Sequence, residues 1–109
     1  MKPYKCKKGD VIAIERLHYY HSIGKSRREW RDWALGRAHK VSKKGIVKEF
    51  TLGGMPFPVK DGIRIATIAD QEQRDAAAKV LRRLGWYGFE DVEVLKAAIR
   101  EEQGKLTNA

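Results

Sequence analysis

Residues 27–52, RREWRDWALGRAHKVSKKGIVKEFTL, constrain this chain more than any other stretch. Two β-rich runs, 29–42 and 46–52, flank Lys43–Lys44–Gly45, and glycine there supplies the positive φ that a short hairpin turn demands. The predicted structure is a long β-hairpin. Trp30 and Trp33 are out of phase for one flat strand, so they are expected on opposite faces. Trp33 shares its phase with Leu35 and is assigned to the core, whereas Trp30, among arginines, is assigned to the surface. The pattern breaks phase at Gly36, where a bulge or sharp bend is expected. Ile46, Phe50 and Leu52 are read as the core face of the second arm, with Lys48 snorkelling from that same face.

The flanking segments extend the β reading. Gly9–Asp10 leads into a short strand, 11–16, with Ile12 and Ile14 facing the core. Residues 17–28, LHYYHSIGKSRR, read as a long exposed connection. The stretch 53–58 carries Pro56 and Pro58, so a strand there is confined to an edge. Asp61–Gly62 signals a hairpin between Val59–Lys60 and a strand at 63–68. From Asp70 the period becomes helical. Asp70 is an N-cap with Gln73 three residues on, and Ala77, Val80, Leu81 and Leu84 form an apolar stripe ending at Gly85. After the aromatic link 86–89, Asp91 caps a second helix with Val92, Leu95 and Ile99 inward, ending near Gly104.

The fold class read from this is α+β: a five-stranded small β-barrel over 8–68 and a two-helix hairpin over 70–103 packed on it, within one domain spanning 1–109. Gly9–Asp10–Val11, Trp33–x–Leu35–Gly36–Arg37, Gly45–x–Val47–Lys48 and the 63–68 strand resemble SH3-like small barrels. With its helical tail the whole resembles small uncharacterised proteins of actinobacteria and their phages. The resemblance implies a binding protein, of nucleic acid, ribosomal RNA or peptide, and chooses no site residues.

Charge narrows the partner. Residues 1–60 carry 15 Lys/Arg and 5 Asp/Glu, and residues 61–109 carry 8 and 9, so the formal net charge of +9 lies in the first part. Such asymmetry suits a polyanion. The expected nucleic-acid-binding residues are Arg27, Arg28, Trp30, Arg31, Arg37, Lys40, Lys43, Lys44 and Lys48, with Tyr19, Tyr20 and Phe57 as stacking or partner contacts. The alternative is a module docking on an acidic protein partner, such as that of a phage host, through a groove lined by Trp30, Tyr19, Tyr20 and Phe57. Whether it is a monomer or a homodimer through the helical hairpin, whose aromatics are Trp86, Tyr87 and Phe89, stays open.

Catalysis is not expected, because no nucleophile elbow, phosphate loop or dinucleotide fingerprint is present. Glu29 and Asp32 read as ion-pair partners of Arg28 and Arg31. His18 and His21 lack the further ligands that a metal site needs, so no metal or cofactor is expected. The second helix carries Glu93, Glu101 and Glu102, which disqualifies it as a major-groove reader. The lone Cys6, the absence of a secretory pattern and of any long apolar run suggest a cytoplasmic protein without a membrane segment. Cys6 itself is read as an inert thiol on a loose basic lead-in.

Overall fold

The computed structural model describes residues 4–20, 24, 28–60, 62–85 and 88–107. Six strands and two helices follow in the order β1 (Val11–Tyr20), β2 (Arg28–Val41), β3 (Val47–Leu52), β4 (Met55–Pro58), β5 (Arg64–Thr67), α1 (Gln71–Leu84), β6 (Gly88–Phe89) and α2 (Val92–Thr107). The antiparallel sheet has the order β4-β3-β2-β1-β5, and the short β6 pairs with β2 at Trp33 and Ala34. The fold is thus α+β as expected, but the sheet is not closed by hydrogen bonds: the outer strands β4 and β5 share no ladder.

Alternation divides β1 and β2 between two cores. Val11, Ala13 and Leu35 turn to one face and pack with Ala76, Ala77, Val80, Leu95, Ile99 and Phe89, so both helices cover that side. Ile12 and Ile14 turn to the inner face, where they meet Cys6, Ala38, Val47 and Phe50, with Val59, Ile63 and Ile65 around them. Trp33 lies partly buried on the helix side, while Trp30 stands half exposed on the inner phase.

Several boundaries differ from the sequence-based expectation. The segment 17–20, read as loop, continues β1, and its partners Arg28–Arg31 open β2. Aromatic side chains favour an extended backbone, and a facing strand supplies the ladder bonds. The β1–β2 register runs unbroken past Gly36, which pairs with Ile12. Gly36 is small for a different reason: a methyl there would lie 2.5 Å from the Thr51 carbonyl oxygen and 2.7 Å from Ile14 Cδ1.

The irregularity sits further on. Ala38 faces Phe50, Lys40 faces Glu49 and Val41 faces Val47, so His39 and then Lys48 are each the extra residue of a bulge. The second bulge resets the phase. Val47 joins Phe50 in the core, Ile46 is 54% exposed, and Lys48 is exposed at the irregularity instead of snorkelling from an apolar face.

The turns follow their glycines. Gly45, at φ +85°, closes the β2–β3 hairpin with Gly45 N–H donating to Ser42 O at 2.9 Å and Ser42 N–H to Ile46 O at 2.9 Å. Gly53 and Gly54 both have positive φ and join β3 to β4 through the two-residue turn that such a pair favours. The turn after Lys60 forms, with Ile63 N–H donating to Lys60 O at 3.1 Å, but it does not close a hairpin. β5 pairs with β1 instead, because Ile65 opposite Ile14 completes the inner core.

The helix caps are as read. Asp70 accepts from Gln73 N–H at 3.0 Å and Asp91 from Val94 N–H at 2.9 Å, while Gly85 N–H donates to Leu81 O at 2.7 Å. Leu84, expected in the buried stripe, is 39% exposed in the last turn, and Ala76 takes a buried place on that face. Trp86 and Tyr87 lie outside the described residues. The lead-in is pinned from Tyr4 onward: its hydroxyl donates to Asp10, the Arg74 guanidinium lies 4.6 Å over its ring, and Cys6 is buried. Burial pushes the Cys6 thiol above its ordinary pKa, which leaves less of the reactive thiolate.

Candidate nucleic-acid interface

β1 outruns β5, whose ladder stops at Glu15, and β2 outruns β3, whose ladder starts at Arg37. Residues 16–20 and 28–32 therefore leave the sheet body as a two-stranded ribbon. On the inner phase of this ribbon the apolar core residues give way to Arg16, His18, Trp30 and Asp32.

These four side chains form one unit. Arg16 Nε donates to Asp32 Oδ1 at 2.9 Å and Arg16 Nη2 to Asp32 Oδ2 at 2.6 Å, a two-pronged clamp. His18 Nε2 lies 2.9 Å from Asp32 Oδ1. The His18 ring in turn stacks on Trp30, with centroids 5.2 Å apart and planes 14° from parallel. Burial raises the pKa of the Asp32 carboxyl, but the hydrogen bonds from Arg16 and His18 and the Arg16 charge outweigh it and hold it below the ordinary carboxylate value. The carboxylate is thus committed inward, and Trp30 is left 50% exposed.

Beside this unit a cleft of about 320 Å³ opens at the end of the inner core. Phe50, Leu52, Phe57 and Ile63 form its apolar part, with Arg16, His18 and Lys60 among its other walls. β1 and β4 both contribute, although β2 and β3 separate them in the sheet, so the sheet curls strongly at this end. Phe57 pairs with Phe50 across the ladder at 6.0 Å between centroids and stays 43% exposed.

The residues singled out from sequence do not gather at one place. Arg31 lies on the opposite phase from Trp30, donating to Glu15 Oε1 at 3.0 Å and to Gly62 O at 3.1 Å. Arg37, also on that phase, donates to Gly9 O at 2.9 Å. Lys40 pairs with Glu49 at 3.0 Å. Lys43, Lys44 and Lys48 are exposed around the β2–β3 turn, separated from Trp30 by roughly 40 Å of extended strand. Arg28 and Tyr20 face each other in register at the ribbon's end, and Tyr19 faces Glu29. The side chains of Arg28, Tyr19 and Tyr20, and all of Arg27 and His21, lie outside the described residues.

Arg16, His18, Asp32 and Lys60 escaped the sequence reading, which gave Asp32 to Arg31. Gly24, at φ +77°, carried the missing signal. A hairpin centred on it sets Arg16 opposite Asp32 and His18 opposite Trp30, as the register does.

Among the described residues no group of three or more His, Cys, Asp or Glu side chains is placed to hold a metal ion, and no helix is long and apolar enough to cross a membrane. No protein-family model matches the chain, and neither a curated protein nor a solved structure does.

Proposed function

We propose that this protein binds nucleic acid without catalysing a reaction, using the β1–β2 ribbon and the mouth of the adjoining cleft. The observation that carries the proposal is the half-exposed Trp30 ring, stacked on a His18 that is fixed by the Arg16–Asp32 clamp. An aromatic face held open to solvent on a basic protein serves base stacking, and the surrounding charge serves phosphates. Lys60 supplies that charge at the cleft, and Lys43, Lys44 and Lys48 at the far end of β2 offer a second, separate contact for phosphates; none of the four has a carboxylate partner among the described residues. The strand order, a meander that returns β5 to β1, is compatible with the SH3-like small-barrel reading.

Binding of this kind is mainly electrostatic and weakly sequence-specific. Neutralising about five phosphates gives a log–log salt slope of roughly −3.5 to −4.5. Fluorescence anisotropy of labelled DNA and RNA across a salt series measures it. No binding at low salt to any of them refutes the proposal.

A second reading is favoured by the apolar edge at β4, where Met55 and Phe57 are exposed. On this reading the strip docks an acidic protein partner, and the basic surface steers the encounter. A pull-down performed with and without nuclease separates the two: a stoichiometric protein that survives nuclease supports docking.

A further inference from the structure

We propose that the ligand is a single strand and that the cleft beside His18 seats one of its bases, unstacked from its neighbours. This rests on the nucleic-acid reading above and specifies which form of nucleic acid the site takes.

The volume is the first reason. At about 320 Å³ the cleft is at the small end of cavities that hold small organic ligands. A base paired within a duplex cannot enter it, whereas single strands offer bases whose faces and edges are free.

The chemistry of the walls is the second. Phe50 and Phe57, themselves a ring pair, line the cleft, and so does His18, whose ring stacks on Trp30. A flat π-system entering the cleft finds aromatic rings in its walls to pack against. Neighbouring bases then have the exposed face of Trp30.

Preorganisation is the third. An imidazole free to rotate loses rotamer freedom on binding, but His18 is already held through Nε2 by Asp32, and Asp32 by both prongs of Arg16. The clamp also removes an objection. A carboxylate near the cleft would repel the phosphate backbone, but the Arg16 guanidinium balances the Asp32 charge at 2.6 Å. Lys60, at the cleft and exposed, supplies a cation for the phosphate next to the seated base. A proline-rich or apolar peptide would use the same rings, and it is one of the outcomes below.

The test uses the full chain and single strands of about a dozen nucleotides, a length that covers a site of this kind. Three ligands are compared at one salt concentration: oligothymidylate, the same sugar–phosphate strand with abasic positions, and the oligothymidylate–oligoadenylate duplex. The expected result is that the intact single strand binds about 5- to 150-fold tighter than the abasic strand, the equivalent of one to three kcal/mol of stacking, and also tighter than the duplex. Phe57→Ala and Trp30→Ala, both at half-exposed positions, are expected to abolish that preference while still unfolding in one cooperative urea transition, at a midpoint lowered by the lost ring contact. Equal affinity for all three ligands overturns the base seat but leaves phosphate binding intact. Displacement of bound oligothymidylate only by a proline-rich peptide, with no loss in Phe57→Ala affinity for the strand, also overturns it. Absence of binding to every nucleic acid refutes the underlying reading and the seat with it.

Discussion

Asp32→Ala is the most informative single change. Asp32 holds two residues of β1 through three contacts: it accepts two hydrogen bonds from Arg16, at 2.9 and 2.6 Å, and lies 2.9 Å from His18 Nε2. The Arg16 and Asp32 side chains are only 19% and 18% exposed. Removing the carboxylate leaves a guanidinium without its counter-charge in a site with little water. A hydrogen bond to a charged group contributes about 1.5–3 kcal/mol, and stripping one partner from a fully buried pair costs about 3–5 kcal/mol. The residual exposure keeps this pair below the fully buried case, in the upper part of the first range at about 2–3 kcal/mol, on a total of about 5–15 kcal/mol for a domain of this kind. Urea unfolding followed by tryptophan fluorescence is expected to show the midpoint falling by about 1–2 M. Adding Arg16→Met removes the stranded charge, so the double variant should recover at least about 1 kcal/mol relative to additivity.

The pH dependence follows from the sign of the shift. The folded-state pKa of Asp32 lies below its unfolded value, so its stabilisation is complete above that unfolded value, about 3.9. It is lost as pH falls through the folded pKa. The gap between wild type and Asp32→Ala is therefore full near about pH 7 and closes in strong acid. A cost under about 0.5 kcal/mol, an additive double variant, or a gap that persists unchanged in strong acid refutes the clamp.

Other perturbations separate packing, charge and titration. Gly36→Ala forces a methyl to within 2.5 Å of the Thr51 carbonyl, so it should cost about 1–3 kcal/mol by chemical denaturation, whereas Gly104→Ala in α2, with open space around it, should gain about 0.5–1 kcal/mol. The Tyr4 hydroxyl is pushed up to about 12 by burial and by its hydrogen bond to Asp10. Its neutral form is favoured in the fold, so the advantage of wild type over Tyr4→Phe should hold below pH 10 and shrink as pH rises towards 12, measured by alkaline unfolding. Replacing both Lys43 and Lys44 by alanine should flatten the salt slope of nucleic-acid binding by up to about 2 and leave the urea midpoint within about 0.5 kcal/mol, because both are exposed turn residues.

Local signals were legible wherever a residue acts on its own neighbours. Gly45 set the central turn through its φ, Asp70 and Asp91 set the helix starts through their carboxylates, and Gly85 set the end of α1. The opposite facing of Trp30 and Trp33 followed from strand alternation alone, because a two-residue period is a property of the backbone. Composition placed the excess charge in the first 60 residues.

What failed to show in the sequence depends on partners far along the chain. The bulges at His39 and Lys48 arise from fitting β2 to β3, and they decide that Val47 is core and Ile46 is surface. The small size required at Gly36 comes from a carbonyl 15 positions away, and the short turn at 60–63 leads to β1, not back to β4. The basic residues of 27–48 look like one cluster in the sequence, but an extended strand separates its ends by tens of ångströms and turns alternate residues to opposite sides. The Arg16–Asp32–His18–Trp30 unit is the reverse case: its members are distant in sequence and adjacent only through β1–β2 pairing. The chain by itself determined its two helices, the glycine turn of the central hairpin and its charge, which are short-range or additive properties. Tertiary structure decided which rings and charges meet, because register and curl are set by the packing of both cores together.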